Sequence, residues 1–243
     1  MSRNASALAG AMLLLLQPGM AAADAAPEDT EVWEPEPKLV APGPPPGDAV
    51  VLFDGSGLSA WQHEGGRDAE WVVGDGWFEV KPGTGDLLTR EVFADCQLHV
   101  EWAAPERVAG DGQGRGNSGI FLQQRYEVQV LDSWNNRTYS NGQAASIYKQ
   151  SMPLVNASRP PGQWQSYDII YRAPRFTDDG ALVAPASLTV LHNGVLVQDH
   201  VELAGPTVYV GEPVYSAHGR DALRLQDHDN PVRFRNIWIR RLD

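Results

Sequence analysis

Leu188-Thr189-Val190-Leu191-His192-Asn193-Gly194-Val195-Leu196-Val197 decides how this chain is read. Two apolar runs rich in β-branched residues flank Asn193-Gly194. A two-residue type I′ turn needs positive φ at both central positions, which Asn and Gly tolerate best. The stretch therefore predicts a β-hairpin. The same texture extends in both directions from it: from about Ala49 to the C-terminus, short alternating runs are separated by Gly, Asn, Asp and Pro, and no long stretch has a 3.6-residue period. Expected strands are residues 50–53, 77–80, 97–102, 118–123, 126–131, 167–171, 188–191, 195–198, 223–227 and 232–240. About ten strands in one domain of this size predict an all-β, two-sheet antiparallel sandwich. Residues 133–163 are less regular, and they read as a long excursion over a sheet face or edge, the kind of loop that often carries function.

Upstream of this region the composition changes. Arg3 precedes an apolar run from Ala7 to Leu16, and Ala21-Ala22-Ala23 supplies the small residues of a cleavage site, so residues 1–23 read as a signal peptide and the protein as periplasmic or secreted. The run stops at Gln17-Pro18-Gly19, short of the roughly 20 residues a membrane-spanning helix needs. No integral membrane segment is expected in the mature protein. Residues 24–47, with Glu34-Pro35-Glu36-Pro37 and Pro44-Pro45-Pro46, read as a Pro-rich acidic linker, and residues 48–243 as the β-sandwich domain.

Composition excludes several functions. With 19 Lys and Arg against 31 Asp and Glu, the formal net charge is −12, and no basic run is present that could follow a phosphate backbone. Nucleic acid is not an expected partner; neutral sugars suit an acidic protein better than anionic polymers do. Cys96 is the sole cysteine. It lies in an alternating strand and reads as a buried structural thiol, so stability has to come from packing. No sequence pattern specifies an oligomeric state.

Several polar residues fall in patterns that suit chemistry. In the strand from Tyr126 to Leu131 a period of two puts Glu127 and Gln129 on one face and Tyr126, Val128 and Val130 on the other. The same alternation sets Gln226 and His228 against Leu225 and Asp227, and Glu101 against Val100 and Trp102. The two readings of such a face are a solvated surface and a lined cleft. His228 reads either as the leading proton-transfer candidate, because imidazole titrates near neutrality and Asp227 and Asp229 stand beside it, or as a turn histidine that closes the strand before Asn230-Pro231. Glu127 reads either as a second acid/base group or metal ligand, or as a structural carboxylate held by Arg115 or Arg235. Gly112-Gln113-Gly114-Arg115-Gly116-Asn117-Ser118-Gly119 lacks the strand-to-helix context of a phosphate loop, and no nucleotide cofactor is expected. It reads as a tight β connection in which Arg115 and Asn117 either bind hydroxyls or tie the loop to a sheet. Trp134, Tyr139 and Tyr148 either stack on a sugar or belong to the core, the commoner place for aromatics; Trp61, Trp71, Trp77, Trp102 and Trp238 are assigned to the core.

An ordered set of fragments resembles the 3-keto-disaccharide hydrolase-like family. They are Leu52-Phe53-Asp54-Gly55, Leu58-Ser59-Ala60-Trp61, Gly114-Arg115-Gly116-Asn117-Ser118-Gly119-Ile120-Phe121, Tyr126-Glu127-Val128-Gln129-Val130-Leu131-Asp132, Leu225-Gln226-Asp227-His228 and Phe234-Arg235-Asn236-Ile237. The resemblance implies a concanavalin-like jelly roll and cleavage of glycosides whose C3 hydroxyl has been oxidised to a ketone, by a hydrolase or a lyase. A small oxidised saccharide or glycoside is then the expected ligand. A non-catalytic carbohydrate-binding sandwich and a cell-envelope interaction protein are the rival readings. Under the enzyme reading the expected catalytic set is His228, Glu127 and Asp227, with Arg115, Asn117, Gln129, Tyr148, Gln226 and Arg235 around the sugar. Some members resemble divalent-metal-dependent lyases. No HxH, HExxH or EF-hand spacing is present, so a divalent metal would need ligands from separate strands, with Glu127 and Glu101 as candidates in an oxygen-rich site.

Overall fold

Asn193 and Gly194 adopt φ of 53° and 79°, and His192 pairs with Val195 across them. This is the expected tight hairpin, and it sets the register of one end of a sheet. The computed structural model describes residues 26, 29 and 36–243. These fall in two units, Met1–Leu39 and Val40–Asp243. In the first, Glu36, Pro37, Lys38 and Leu39 are exposed and irregular. The expected signal peptide and most of the linker lie outside the described residues. The second unit carries the fold.

Its strands are β1 (Val50–Phe53), β2 (Trp61–Gln62), β3 (Val72–Val73), β4 (Phe78–Glu79), β5 (Leu87–Phe93), β6 (Cys96–Ala103), β7 (Ser118–Leu122) and β8 (Tyr126–Val130). They continue with β9 (Gln165–Arg172), β10 (Arg175–Phe176), β11 (Leu182–Ala184), β12 (Ser187–His192), β13 (Val195–Glu202), β14 (Asp221–Leu225) and β15 (Arg233–Arg241). Among the described residues helical geometry is confined to short 3-10 turns, and no helix is long and apolar enough to cross a membrane.

Eight strands form one antiparallel sheet, ordered β13-β12-β9-β6-β15-β4-β3 with β1 also on β15; five form the second, ordered β2-β5-β14-β7-β8, and β10 and β11 pair only with each other. The two sheets make a jelly-roll sandwich around one core. Alternation explains how it closes. Leu98, Val100 and Trp102 of β6, Tyr167, Ile169 and Tyr171 of β9, and Leu188 and Val190 of β12 are buried from one side. Leu223 and Leu225 of β14, Ile120 and Leu122 of β7, and Tyr126, Val128 and Val130 of β8 are buried from the other.

Trp61, Trp71, Trp102 and Trp238 are buried. Trp77 is not: it is half-buried, under the Arg233 guanidinium. Trp238 stands outside the main core cluster, stacked on His99 at 5.3 Å. A bulge between Arg235 and Trp238, with Asn236 at φ 45°, turns Arg235, Asn236 and Trp238 toward the outer face of the eight-stranded sheet. Cys96 is buried, and burial pushes its thiol up to about 12, as suits an inert structural sulfur.

Candidate functional site

The outer face of the five-stranded sheet carries the polar residues that alternate with its core. Register aligns them in two rows. Leu88, Arg224, Phe121 and Glu127 are successive partners across β5, β14, β7 and β8; Gly119 and Gln129 are partners one step along, and Gln226 donates its N–H to the Gly119 carbonyl. These rows form the floor of a cleft of about 600 Å³, whose lining includes Gln113, Asn117, Glu127, Gln129, Gln226 and His228. Tyr139, Tyr148 and Tyr209 line it as well.

The walls come from segments that cover β8, an edge strand. Gln129 N–H donates to Ser146 O (3.0 Å), Ala145 N–H to Gln129 O (2.9 Å), and Tyr148 N–H to Glu127 O (3.4 Å). The irregular 133–163 excursion thus follows the free backbone of β8, and Thr207 Oγ1 accepts from Glu127 N–H at 3.0 Å. An otherwise open edge becomes a walled site, which is why Glu127 and Gln129 are buried although they face away from the core.

Burial dominates the chemistry of Glu127. Its carboxyl is pushed up to about 8 by desolvation; Arg224 opposes the rise and Asp86 adds to it. Neither Arg115 nor Arg235 is its cation. Beneath the carboxyl lies Gly119, where an added Cβ would come within 2.6 Å of Glu127 Oε1 and 2.7 Å of the Phe121 ring. Only glycine leaves room for the carboxyl at this depth. Beside it stands the Gln129 amide. Turned with nitrogen toward Ser118 O (3.0 Å) and Glu127 Oε1 (3.1 Å), this amide donates to both. Tyr148 contacts the Tyr139 hydroxyl at 2.7 Å, and burial raises its phenol further above neutrality, so it offers a neutral O–H. His228 is exposed and lines the cleft, with its own carbonyl accepting from Asn230 Nδ2 (2.7 Å). A buried carboxyl that keeps its proton near pH 7 and an accessible imidazole therefore line one cleft. That pairing is suited to proton transfer.

Of the expected residues, Asn117, Glu127, Gln129, Tyr148, Gln226 and His228 share this cleft, whereas four others are elsewhere. Asp227 does not support the His228 ring: its carboxylate accepts from Gly85 N–H (3.0 Å) and Asp229 N–H (3.1 Å), pinning a turn. Arg115 ties its loop to the sheet, donating to Asp132 Oδ2 (2.7 Å) and Trp134 O (2.9 Å). Arg235 pairs with Glu101 Oε2 at 2.6 Å and covers Trp164 at 4.2 Å. Both Arg235 and Glu101 project from the outer face of the eight-stranded sheet, across the core from Glu127, so Glu101 and Glu127 do not share a metal. For Glu101 and Arg235 the reason is that alternation within a strand tells which residues share a face, not which sheet that strand joins.

Among the described residues no group of three His, Cys, Asp or Glu is arranged to hold a metal ion. The cleft lining contains one carboxyl, Glu127, and one imidazole, His228, beside the amides of Gln113, Asn117, Gln129 and Gln226, while Glu101, the second expected ligand, stands on the other sheet. Arg224, Phe121, Thr207 and Tyr209 were not marked by the sequence reading. Arg224 alternates with Gln226 along one chain segment, and that spacing was the available signal.

Comparisons with known proteins agree with this architecture. Residues 48–240 match the model of the 3-keto-alpha-glucoside-1,2-lyase-like domain. A 3-keto-disaccharide hydrolase of Bacteroides thetaiotaomicron is 25% identical over 80% of this chain and 78% of its own length. A solved structure from Parabacteroides distasonis, described as a "putative glycosyl hydrolase", is 49% identical, with a TM-score of 0.86 over 91% of this chain and 99% of that one. A second structure from that organism, with the same description, is 20% identical with a TM-score of 0.61 over 81% of this chain and 94% of its own; it bears on the fold alone.

Proposed function

This chain belongs to the 3-keto-alpha-glucoside-1,2-lyase-like family, and from that premise we propose that it cleaves 3-keto-glycosides by moving the proton at C2. The observation that carries the reading is the convergence of Glu127, Gln129, Gln226 and His228 in one cleft, with the Glu127 carboxyl pushed up to about 8 by burial. A buried acid and an exposed imidazole in one cleft suit turnover better than binding alone.

A ketone at C3 acidifies the C2–H bond. His228 takes that proton, and the electron pair moves into the enolate. Hydroxyl and amide donors of the cleft, Tyr148 among them, stabilise the developing negative charge. The enolate collapses to form the C1–C2 double bond, and the C1–O bond breaks as Glu127 passes its proton to the leaving oxygen. Stopping here gives a lyase. In net hydrolysis, water adds at C1, losing a proton to the Glu127 carboxylate, and the His228 imidazolium returns a proton to C2. Both groups end as they began. No step is routed through a metal.

Incubation of the purified protein with a 3-keto-glucoside, with and without chelator, tests this reading. Release of the leaving group at equal rates in both is expected. Folded protein that leaves the substrate intact would favour the binding module.

A further inference from the structure

We infer that the side-chain amides of Gln129 and Gln113 form a relay that turns over when Glu127 gives up its proton, which makes both of them positioning residues for the buried carboxyl. The inference rests on the proposed reaction only for the moment at which that proton leaves. Gln129 is 1% exposed on the cleft floor, and Gln113 stands half-buried in the turn Gly112–Gly114 beside it. The oxygen and nitrogen ends of an amide occupy nearly the same space, so a half-turn exchanges acceptor for donor without repacking.

Each orientation of the pair leaves one mismatch. In the first, Gln129 Nε2 donates to Gln113 Oε1 (2.9 Å), and Gln113 Nε2 donates to Thr138 Oγ1 (3.1 Å) and Gly142 O (2.9 Å). Gln129 Oε1 then faces Glu127 Oε1 at 3.1 Å and Ser118 O at 3.0 Å. Protonated Glu127 donates to it, but the Ser118 carbonyl is left against another acceptor. In the second orientation the Gln129 nitrogen donates to both Ser118 O and Glu127 Oε1, and its oxygen faces Gln113 across the same 2.9 Å. Gln113 therefore has to turn as well, offering nitrogen to Gln129 and oxygen to the Thr138 hydroxyl, which can donate. The mismatch now lies between Gln113 Oε1 and Gly142 O.

With one opposed carbonyl pair in either state, the two are close in energy and the proton on Glu127 decides between them. A protonated carboxyl can donate to the Gln129 oxygen. A carboxylate can only accept, and its bond from the Gln129 nitrogen is charge-assisted. Glu127 is desolvated, so the turned amide supplies a donor at the step where the buried carboxylate forms. The charged and titratable groups around it are Arg224 on β14, Asp86 before β5, His228 beyond β14, and Tyr139, Tyr148 and Tyr209 in the walls. All of them are common to the wild type and the amide variants.

NMR of the isotope-labelled full chain tests the relay without substrate, with the Glu127 carboxyl carbon identified by its loss in Glu127→Gln. In the wild type the side-chain nitrogens of Gln129 and Gln113 should shift together at the Glu127 midpoint, about pH 8, and both should stay fixed in Glu127→Gln. Gln113→Met removes the Gln113–Gly142 mismatch that opposes the turned state, so the Glu127 midpoint should fall by about one pH unit. Gln129→Met removes the donor to the carboxylate and should raise the midpoint by about one to two units. A merely structural role would admit water and lower it in both. Should Gln129→Met fail to fold, the wild-type nitrogens and Gln113→Met still decide. Nitrogens that stay fixed through the midpoint, or that still move in Glu127→Gln, where His228 remains, overturn the relay. So does a midpoint that is unmoved or raised in folded Gln113→Met, or unmoved or lowered in folded Gln129→Met. A working relay in a protein that leaves every 3-keto-glycoside uncleaved would refute the proposed reaction and leave this inference standing.

Discussion

Glu127→Gln separates the electrostatic account of the cleft from ordinary packing, because it keeps the shape of the side chain and removes its titration. The ordinary glutamate value is near 4.5, and in the folded protein burial moves it to about 8. Below pH 4.5 the group is protonated in both folded and unfolded chains, and its full contribution is present. Between about pH 4.5 and 8 the unfolded chain loses the proton while the native protein keeps it. Stability therefore falls as pH rises, by about 1.4 kcal/mol per pH unit. Across the window the loss is on the order of 4–5 kcal/mol, and it is complete once pH passes the folded value. Glu127 is 5% exposed, so solvent screening takes little from this figure. Asp86, also raised by burial, contributes a slope of its own to both proteins. Urea denaturation of wild type and variant at half-unit steps from pH 4.5 to 8.5 reads the effect directly. The variant should gain stability relative to wild type with rising pH. Parallel curves would refute the claim that burial holds the proton on Glu127.

Other outcomes follow from the same geometry. His228→Ala should lower turnover of a 3-keto-glycoside by roughly 10²–10⁴-fold with unchanged melting, since the residue is exposed; a lower melting temperature with normal turnover per folded molecule would make it a structural histidine. Gly119→Ala drives a methyl into Glu127 and Phe121, so it should cost about 1–3 kcal/mol in denaturation and reduce activity as well. Arg115→Met breaks a pair whose side chains are 14% and 3% exposed, for which about 3–5 kcal/mol is expected. Turnover per folded molecule should be kept, because Arg115 ties a loop and does not line the cleft.

The fold was legible because its signals are local. Asn193-Gly194 specifies a turn whatever surrounds it, and β1 and β8 coincide with their alternating runs to within a residue. The seven-residue β5 escaped, since Thr89-Arg90-Glu91 interrupts its alternation; Arg90, Glu91 and Val92 are exposed between buried Thr89 and Phe93. Within the site, Glu127 and Gln129 were readable as sharing a face, and so were Gln226 and His228. The resemblance in order of motifs suggested that these pairs meet. What periodicity does not contain is the sheet to which each strand belongs. Glu101 and Arg235 therefore looked equivalent to Glu127 yet project from the opposite side of the sandwich. Nor does periodicity reveal who shares a hydrogen bond: Asp227 adjoins His228 in sequence and instead holds Gly85. Arg224 carries no local mark, because its stacking on Phe121 depends on a strand about 100 residues away in the chain.

Proton movement at C2 is tested most directly by running the cleavage in deuterated water and reading the 3-keto product by NMR, at times short against uncatalysed exchange. Net hydrolysis should incorporate deuterium at C2, or an elimination product should have lost the C2 hydrogen, and His228→Ala should abolish either one. Cleavage that leaves the original hydrogen on C2 would contradict proton movement there.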